Sequence, residues 1–153
     1  MDFAALAHVF PDTTKVTPSG SLEIGGCNVA DLVAEYGTPL YVLCEDTVRA
    51  RCREFKEAFT ALHPETEVHY ASKAYIGPAL AQIMTEEGLG LDVVSGGELA
   101  VARAAGAPPE GIYFHGNNKS AKELSDALDY GIGRIMVDNL HELDMLEKLA
   151  SER

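Results

Sequence analysis

Basic residues are scarce in this sequence: 12 Lys and Arg stand against 24 Asp and Glu, a formal net charge of -12 at pH 7. That balance disfavours nucleic acid or an anionic membrane as a partner, because phosphates would be repelled at long range. Cysteine is sparse too. Cys27, Cys44 and Cys52 are an odd number with no Cys-x-x-Cys pair, which fits reduced thiols in the cytoplasm better than a disulfide framework. His8, His63, His69 and His141 show no grouping, and no histidine pair has metal-ligand spacing, so no metal site is expected. No apolar run approaches a membrane span, and Met1-Asp2-Phe3-Ala4-Ala5-Leu6 has an acid where a signal peptide needs a basic region. A cytoplasmic location is therefore expected. The dinucleotide fingerprint is missing as well. Gly88-Leu89-Gly90 and Gly131-Ile132-Gly133 each precede an apolar run rather than follow one.

What is present is the composition of a soluble globular chain, 46% hydrophobic and 24% charged over 153 residues. From residue 68 a pattern repeats. Apolar runs rich in β-formers occur at 68–72, 91–95, 112–116 and 134–138, their starts 21 to 23 residues apart. Amphipathic stretches lie between and after them, at 78–87, 98–105, 121–130 and 140–151. Strand–helix units without a hairpin signal predict parallel strands joined by crossover helices. Ser95-Gly96-Gly97-Glu98 and Ser120-Ala121-Lys122-Glu123 have capping-box spacing, and Asn139 to Glu142 is a weaker version. Gly88, Gly106 and Gly131 fall where helices should stop. Residues 39–44 read as a further strand, and Asp46 as the cap of a helix from Thr47 to about Leu62. Residues 1–38 read as a different layer or domain: a loop at 11–20, a short strand at 21–24, and a short helix at 31–36 ending at Gly37.

Serial parallel βα units form either a doubly wound sheet or a (β/α)8 barrel, and the even spacing favours the barrel. In both, the strand C-terminal ends open on one face. That face would gather Lys73, Asp92, Ser95, His115, Asn117, Asn118, Lys119, Asp138 and Asn139. Taken alone, Lys73 reads as a surface lysine at a strand end. Polar side chains at four successive strand ends instead suggest an active site, in which a lysine amine can form a Schiff base. Ser95 and Ser120 read mainly as helix caps, Asp138 and Asn139 equally well as turn formers, and His115 alternatively as a structural histidine.

Three ordered segments carry a family resemblance: Tyr70-Ala71-Ser72-Lys73-Ala74, Asp92-Val93-Val94-Ser95-Gly96-Gly97-Glu98-Leu99, and His115-Gly116-Asn117-Asn118-Lys119-Ser120. With Glu35-Tyr36-Gly37-Thr38-Pro39-Leu40-Tyr41-Val42, the Glu45-Asp46-Thr47 helix start and Asp138-Asn139, the chain resembles the diaminopimelate decarboxylases. These are fold-type III pyridoxal-phosphate enzymes with an alanine-racemase-like barrel. The resemblance implies an α/β fold, the N-terminal half of a (β/α)8 TIM-type barrel over residues 39–153, preceded by a segment of a second, β domain over residues 1–38. It implies pyridoxal 5'-phosphate as cofactor, Lys73 as the lysine that holds it, and Asp92 and His115 near it, with the loops of Glu98 and Asn118 shaping the site. A partly desolvated barrel mouth would favour the neutral amine that attacks an aldehyde. It further implies a small amino-acid substrate and a homodimer. Tyr75 departs from the family, which more often has asparagine there, and puts a local hydrogen bond in doubt.

The resemblance also implies that the glycine-rich phosphate loop, the acid facing the pyridine nitrogen and most substrate contacts belong to strands beyond residue 153. Half a barrel would leave roughly six of about twelve interior side chains without partners. At about 1.5–3 kcal/mol each, that loss rivals a whole domain's stability of about 5–15 kcal/mol, so the isolated chain is expected to be unstable or to self-associate. The leading expectation is the N-terminal part of an enzyme releasing carbon dioxide from meso-diaminopimelate to give lysine, inactive by itself. The alternatives are a related decarboxylase of ornithine, arginine or carboxynorspermidine, a non-catalytic pyridoxal-phosphate-binding barrel, and a silent partner subunit.

Overall fold

A computed structural model describes residues 3–153; Met1 and Asp2 of the expected N-terminal segment lie outside the described residues. The chain divides into two compact units, Met1–Glu54 and Phe55–Arg153.

The first unit begins with a short helix, α1 (Phe3–Leu6). A three-stranded antiparallel sheet follows, built from β1 (Lys15–Val16), β2 (Leu22–Ile24) and β3 (Cys27–Asn28). β2 and β3 pair with Ile24 opposite Cys27, leaving a two-residue hairpin of Gly25 and Gly26 at φ +57° and +80°. Both positions need left-handed backbone, which glycine adopts without strain. Asn28 then caps α2 (Val29–Tyr36), its side-chain oxygen accepting from the Ala30 amide at 2.9 Å. The loop expected at 11–20 thus contains β1, and α2 starts two residues before the helix expected at 31–36.

Two expectations in this region are corrected. Residues 39–44 form no strand; an extended segment becomes a strand only when a neighbour completes its ladder, which residue preference alone does not supply. The next helix, α3, runs Glu45–Thr60 rather than from Thr47, and the Val48 amide donates to the Cys44 carbonyl at 3.0 Å. Asp46 therefore sits inside the first turn, where a carboxylate favours the helix N-terminus without capping it.

The second unit holds a four-stranded parallel sheet: β4 (His69–Ala71), β5 (Gly90–Val93), β6 (Ile112–Phe114) and β7 (Arg134–Ile135). The strand order is β4-β5-β6-β7. A doubly wound sheet would show a reversal of order, whereas unbroken sequential order is the wall of a (β/α)8 barrel. The strands are shorter than the apolar runs, and β7 ends at Ile135 instead of Asp138. The crossover helices are α4 (Pro78–Glu86), α5 (Gly96–Ala104) and α6 (Ala121–Tyr130), and α7 (Leu140–Ser151) follows β7. Ser120 and Glu123 make the reciprocal capping box, and Gly131 ends α6 in left-handed backbone at φ +75°.

Burial alternates along the strands. Leu91 and Val93 of β5 and Ile112 and Phe114 of β6 are buried, as are Leu80, Ala81 and Met84 of α4, Leu99 and Ala102 of α5, and Leu124 and Ala127 of α6. α4 and α5 pack on β5, and neighbouring helices pack on each other. The core therefore lies between sheet and helices, each large apolar side chain contributing about 1.5–3 kcal/mol. Because the period is two, Asp92 and Tyr113 point to the other face, the one a closed barrel would enclose.

Candidate active site

Three successive strand ends bring together the residues expected to act. Ala71 of β4 is the register partner of Asp92 on β5, and Asp92 is the partner of Tyr113 on β6. His115 follows β6 directly, and its amide donates to the Val93 carbonyl at 2.8 Å. His115 Nδ1 and Asp92 Oδ1 are in direct hydrogen-bonding contact. An ionised carboxylate only accepts, so Nδ1 carries the proton and the imidazole is oriented with Nε2 as its remaining nitrogen.

Lys73 lies just past β4 in a 3-10 turn, Ser72–Ala74. This turn is tied back to its own strand, because the Tyr70 hydroxyl donates to the Tyr75 carbonyl at 2.7 Å. Lys73 is exposed and, among the described residues, makes no hydrogen bond or ion pair. The desolvated mouth expected around it is therefore not formed by these residues. Its neighbour Ser72 is 2% exposed, and the Ser72 hydroxyl has no hydrogen-bond partner among the described residues.

The loops behind these residues are pinned by carboxylates. Ser95 caps α5 by accepting from the Glu98 amide at 3.2 Å, but Glu98 does not return the bond to Ser95. It reaches one residue further and accepts from the Val94 amide at 2.8 Å. Glu123 accepts from the Ser120 amide at 2.9 Å and, with its other oxygen, from the Gly96 amide at 2.7 Å. The Ser120 and Gly96 amides, with the Ser120 hydroxyl, hold the Glu123 carboxyl below the usual carboxylate range. Asn139 caps α7, accepting from the Glu142 amide at 2.9 Å, and Asp138 is exposed.

Lys119, expected on the strand-end face, is instead paired with Glu142 of α7. Both side chains are buried, and Lys119 Nζ lies 2.8 Å from Glu142 Oε1. The two residues line a recess of about 210 Å3 with Asn117, Asn118, Asn139, His141 and Met145. A larger recess of about 340 Å3 lies at the opposite, N-terminal ends of the strands, lined by His69, Gly90 and Ile112, and holds none of Lys73, Asp92 or His115. Among the described residues no cluster of His, Cys, Asp or Glu could hold a metal ion, and no helix is long and apolar enough to cross a membrane.

The donor set fits a pyridoxal cofactor. A carbonyl-bearing ligand needs an amine free of a carboxylate partner, which Lys73 offers, and the residue before it, Ser72, has a buried hydroxyl without a hydrogen-bond partner among the described residues. Comparison with known proteins points the same way. The family profile described as "Pyridoxal-dependent decarboxylase, pyridoxal binding domain" matches residues 45–153. The chain is 52% identical to the diaminopimelate decarboxylase of Bacillus methanolicus, over 94% of this chain and 33% of that protein. Its structure is similar to diaminopimelate decarboxylase from M. jannaschii, with a TM-score of 0.82 and 31% identity over 93% of this chain and 33% of that one. Similarity to the lysine/ornithine decarboxylase of Vibrio vulnificus is weaker, with a TM-score of 0.67 and 28% identity over 78% of this chain and 32% of that one. The chain spans about a third of the length of the curated relatives it matches. Since the profile covers well over half of the sequence, the chain belongs to the pyridoxal-dependent decarboxylases, its residues 45–153 matching their pyridoxal-binding domain.

Proposed function

We propose that this chain supplies the lysine-bearing part of a diaminopimelate decarboxylase, which converts meso-diaminopimelate to L-lysine and carbon dioxide. The observation that carries the reading is Lys73: an unpaired amine just past the C-terminal end of β4, the strand that pairs with the one bearing Asp92 of the oriented Asp92–His115 pair. The choice of substrate is supported by the structural likeness to a diaminopimelate decarboxylase, with a TM-score of 0.82 over 93% of the chain against 0.67 over 78% for the lysine/ornithine enzyme. A solved relative was also captured with L-lysine bound. Pyridoxal 5'-phosphate, when bound, supplies an electron sink for the pair left by a departing carboxylate. The chain's own residues do the rest of the work assigned here. Lys73 would hold the cofactor through its amine. Asp92 fixes the tautomer of His115, whose Nε2 edge is left for the cofactor. Residues 39–153 belong to the barrel and residues 1–38 to the β domain, in a cytoplasmic enzyme that works as a homodimer.

The test is borohydride reduction of the intact protein loaded with pyridoxal phosphate, followed by peptide mapping, beside an assay of carbon dioxide release. Label on Lys73 with release from diaminopimelate supports the enzyme. Label on Lys73 without turnover moves the reading to a binding protein, and label on another lysine discards it.

A further inference from the structure

Lys119 has an unusual environment for a surface-rich acidic chain. Its side chain is 0% exposed and that of Glu142 is 3% exposed. Lys119 Nζ donates to the Gly116 carbonyl at 2.5 Å and to the Met136 carbonyl at 2.9 Å, and faces Glu142 Oε1 at 2.8 Å. Two N–H groups thus meet backbone carbonyls, while Glu142 Oε1, buried and without a hydrogen bond of its own among the described residues, faces the ammonium as its counter-charge; the ammonium also lies 5.9 Å from the Phe114 ring centre. Burying two charges brings a desolvation cost that their attraction at best offsets, so an apolar pair of similar volume would hold α7 on the sheet as well. What an apolar pair cannot do is hold two backbone carbonyls from two different strand ends.

Those carbonyls matter because of what they adjoin. Gly116 follows His115, has φ +110°, and packs so closely on the β5 end that an added Cβ would meet the Val94 carbonyl oxygen at 3.1 Å. His115 is thereby held from both sides, through the Val93 carbonyl before it and the Lys119-bound Gly116 carbonyl after it. Met136 is two residues before Asp138, so the same ammonium fixes the exit of β7.

We propose that Lys119 is a positioning residue: its ammonium, neutralised by Glu142, locks the β6 and β7 exits together and so sets His115 against the reactive face. The inference rests on the pyridoxal-enzyme reading above, and it acts through His115 rather than by contact with cofactor or substrate. Lys119→Met keeps the volume and removes the donors. In the intact protein, amide exchange at 115–118 and 136–138 should quicken while Leu91 and Ile112 stay protected. Cofactor trapped on Lys73 should stay near the unmodified level. The kcat for carbon dioxide release should fall roughly 10–100-fold, with KM changed by less than about threefold, as expected for a displaced group near the chemistry. Unchanged exchange at those amides, an unchanged kcat beside an active parent, or loss of protection, trapping and kcat together would each overturn the proposal. A parent that traps cofactor but releases no carbon dioxide would instead defeat the substrate reading, and the exchange pattern would still decide the role of Lys119.

Discussion

Glu123→Gln is the sharpest probe of how the strand-end loops are held. One carboxylate accepts from the Ser120 amide, the Ser120 hydroxyl and the Gly96 amide, at 2.9, 2.8 and 2.7 Å. It therefore joins the first turn of α5 to the first turn of α6. A carboxamide keeps one oxygen and turns an NH2 group toward whichever donors remain, so at least one of these bonds is lost. Hydrogen bonds to charged acceptors contribute about 1.5–3 kcal/mol each, and partial solvent exposure reduces that to about 1–2 kcal/mol here. A loss of that size lowers amide protection by about 5–30-fold. The assay is hydrogen exchange at Gly96 and Ser120, compared between parent and variant as pH is lowered. The Glu123 carboxyl is depressed in the folded protein, chiefly by the Ser120 and Gly96 amides. Its stabilisation is thus full above the unfolded carboxyl value of about 4.3 and is lost as pH falls through the lower folded value. The parent should accordingly converge on the variant in acid. Equal protection at neutral pH, or a gap that persists once the carboxyl is protonated, would refute the reasoning.

Two further substitutions test the sheet beneath the site. Phe114→Ala empties a position that is 0% exposed between β6 and the helices; a loss of about 3–5 kcal/mol is expected, read as a large drop in the denaturation midpoint. Gly90→Ala would bring a Cβ within 2.6 Å of the Gly111 carbonyl oxygen, which as backbone cannot swing aside. The β5–β6 spacing must widen, and a destabilisation of about 1–3 kcal/mol is expected, whereas an unchanged melting temperature would show that the strands part freely.

Local signals proved readable where a short stretch decides the structure. Ser120, Glu123 and Gly131 carry the start and stop of α6, which runs Ala121–Tyr130 as its periodicity predicts, and Asn139 starts α7 at Leu140. The strand order followed from the even repeat, because nothing in the sequence signals a reversal. Features that depend on distant partners were less legible. Residues 39–44 have a strand-like composition but no ladder, and composition does not say which neighbour would complete one. Lys119 and Glu142 are common residue types 23 positions apart, and only the packing of α7 beside the β6 exit makes them a buried pair. Lys119 was legible only as one of several polar residues at the strand ends, and Glu142 only as the partner of the Asn139 cap. Lys73 was legible as a candidate from its strand-end position, but the expected desolvation around it was not met, since burial of a loop side chain is set by what covers it.

The central claim is that the Lys73 amine is the cofactor's attachment point, and lysine-by-lysine mapping after borohydride reduction tests it most directly. Lys119 is an internal control, because its ammonium is buried, donates to two backbone carbonyls and is ion-paired with Glu142. The account predicts label on Lys73 and none on Lys119 in the intact protein with pyridoxal phosphate. Label on Lys119 or on any other lysine, with Lys73 unmodified, would contradict it.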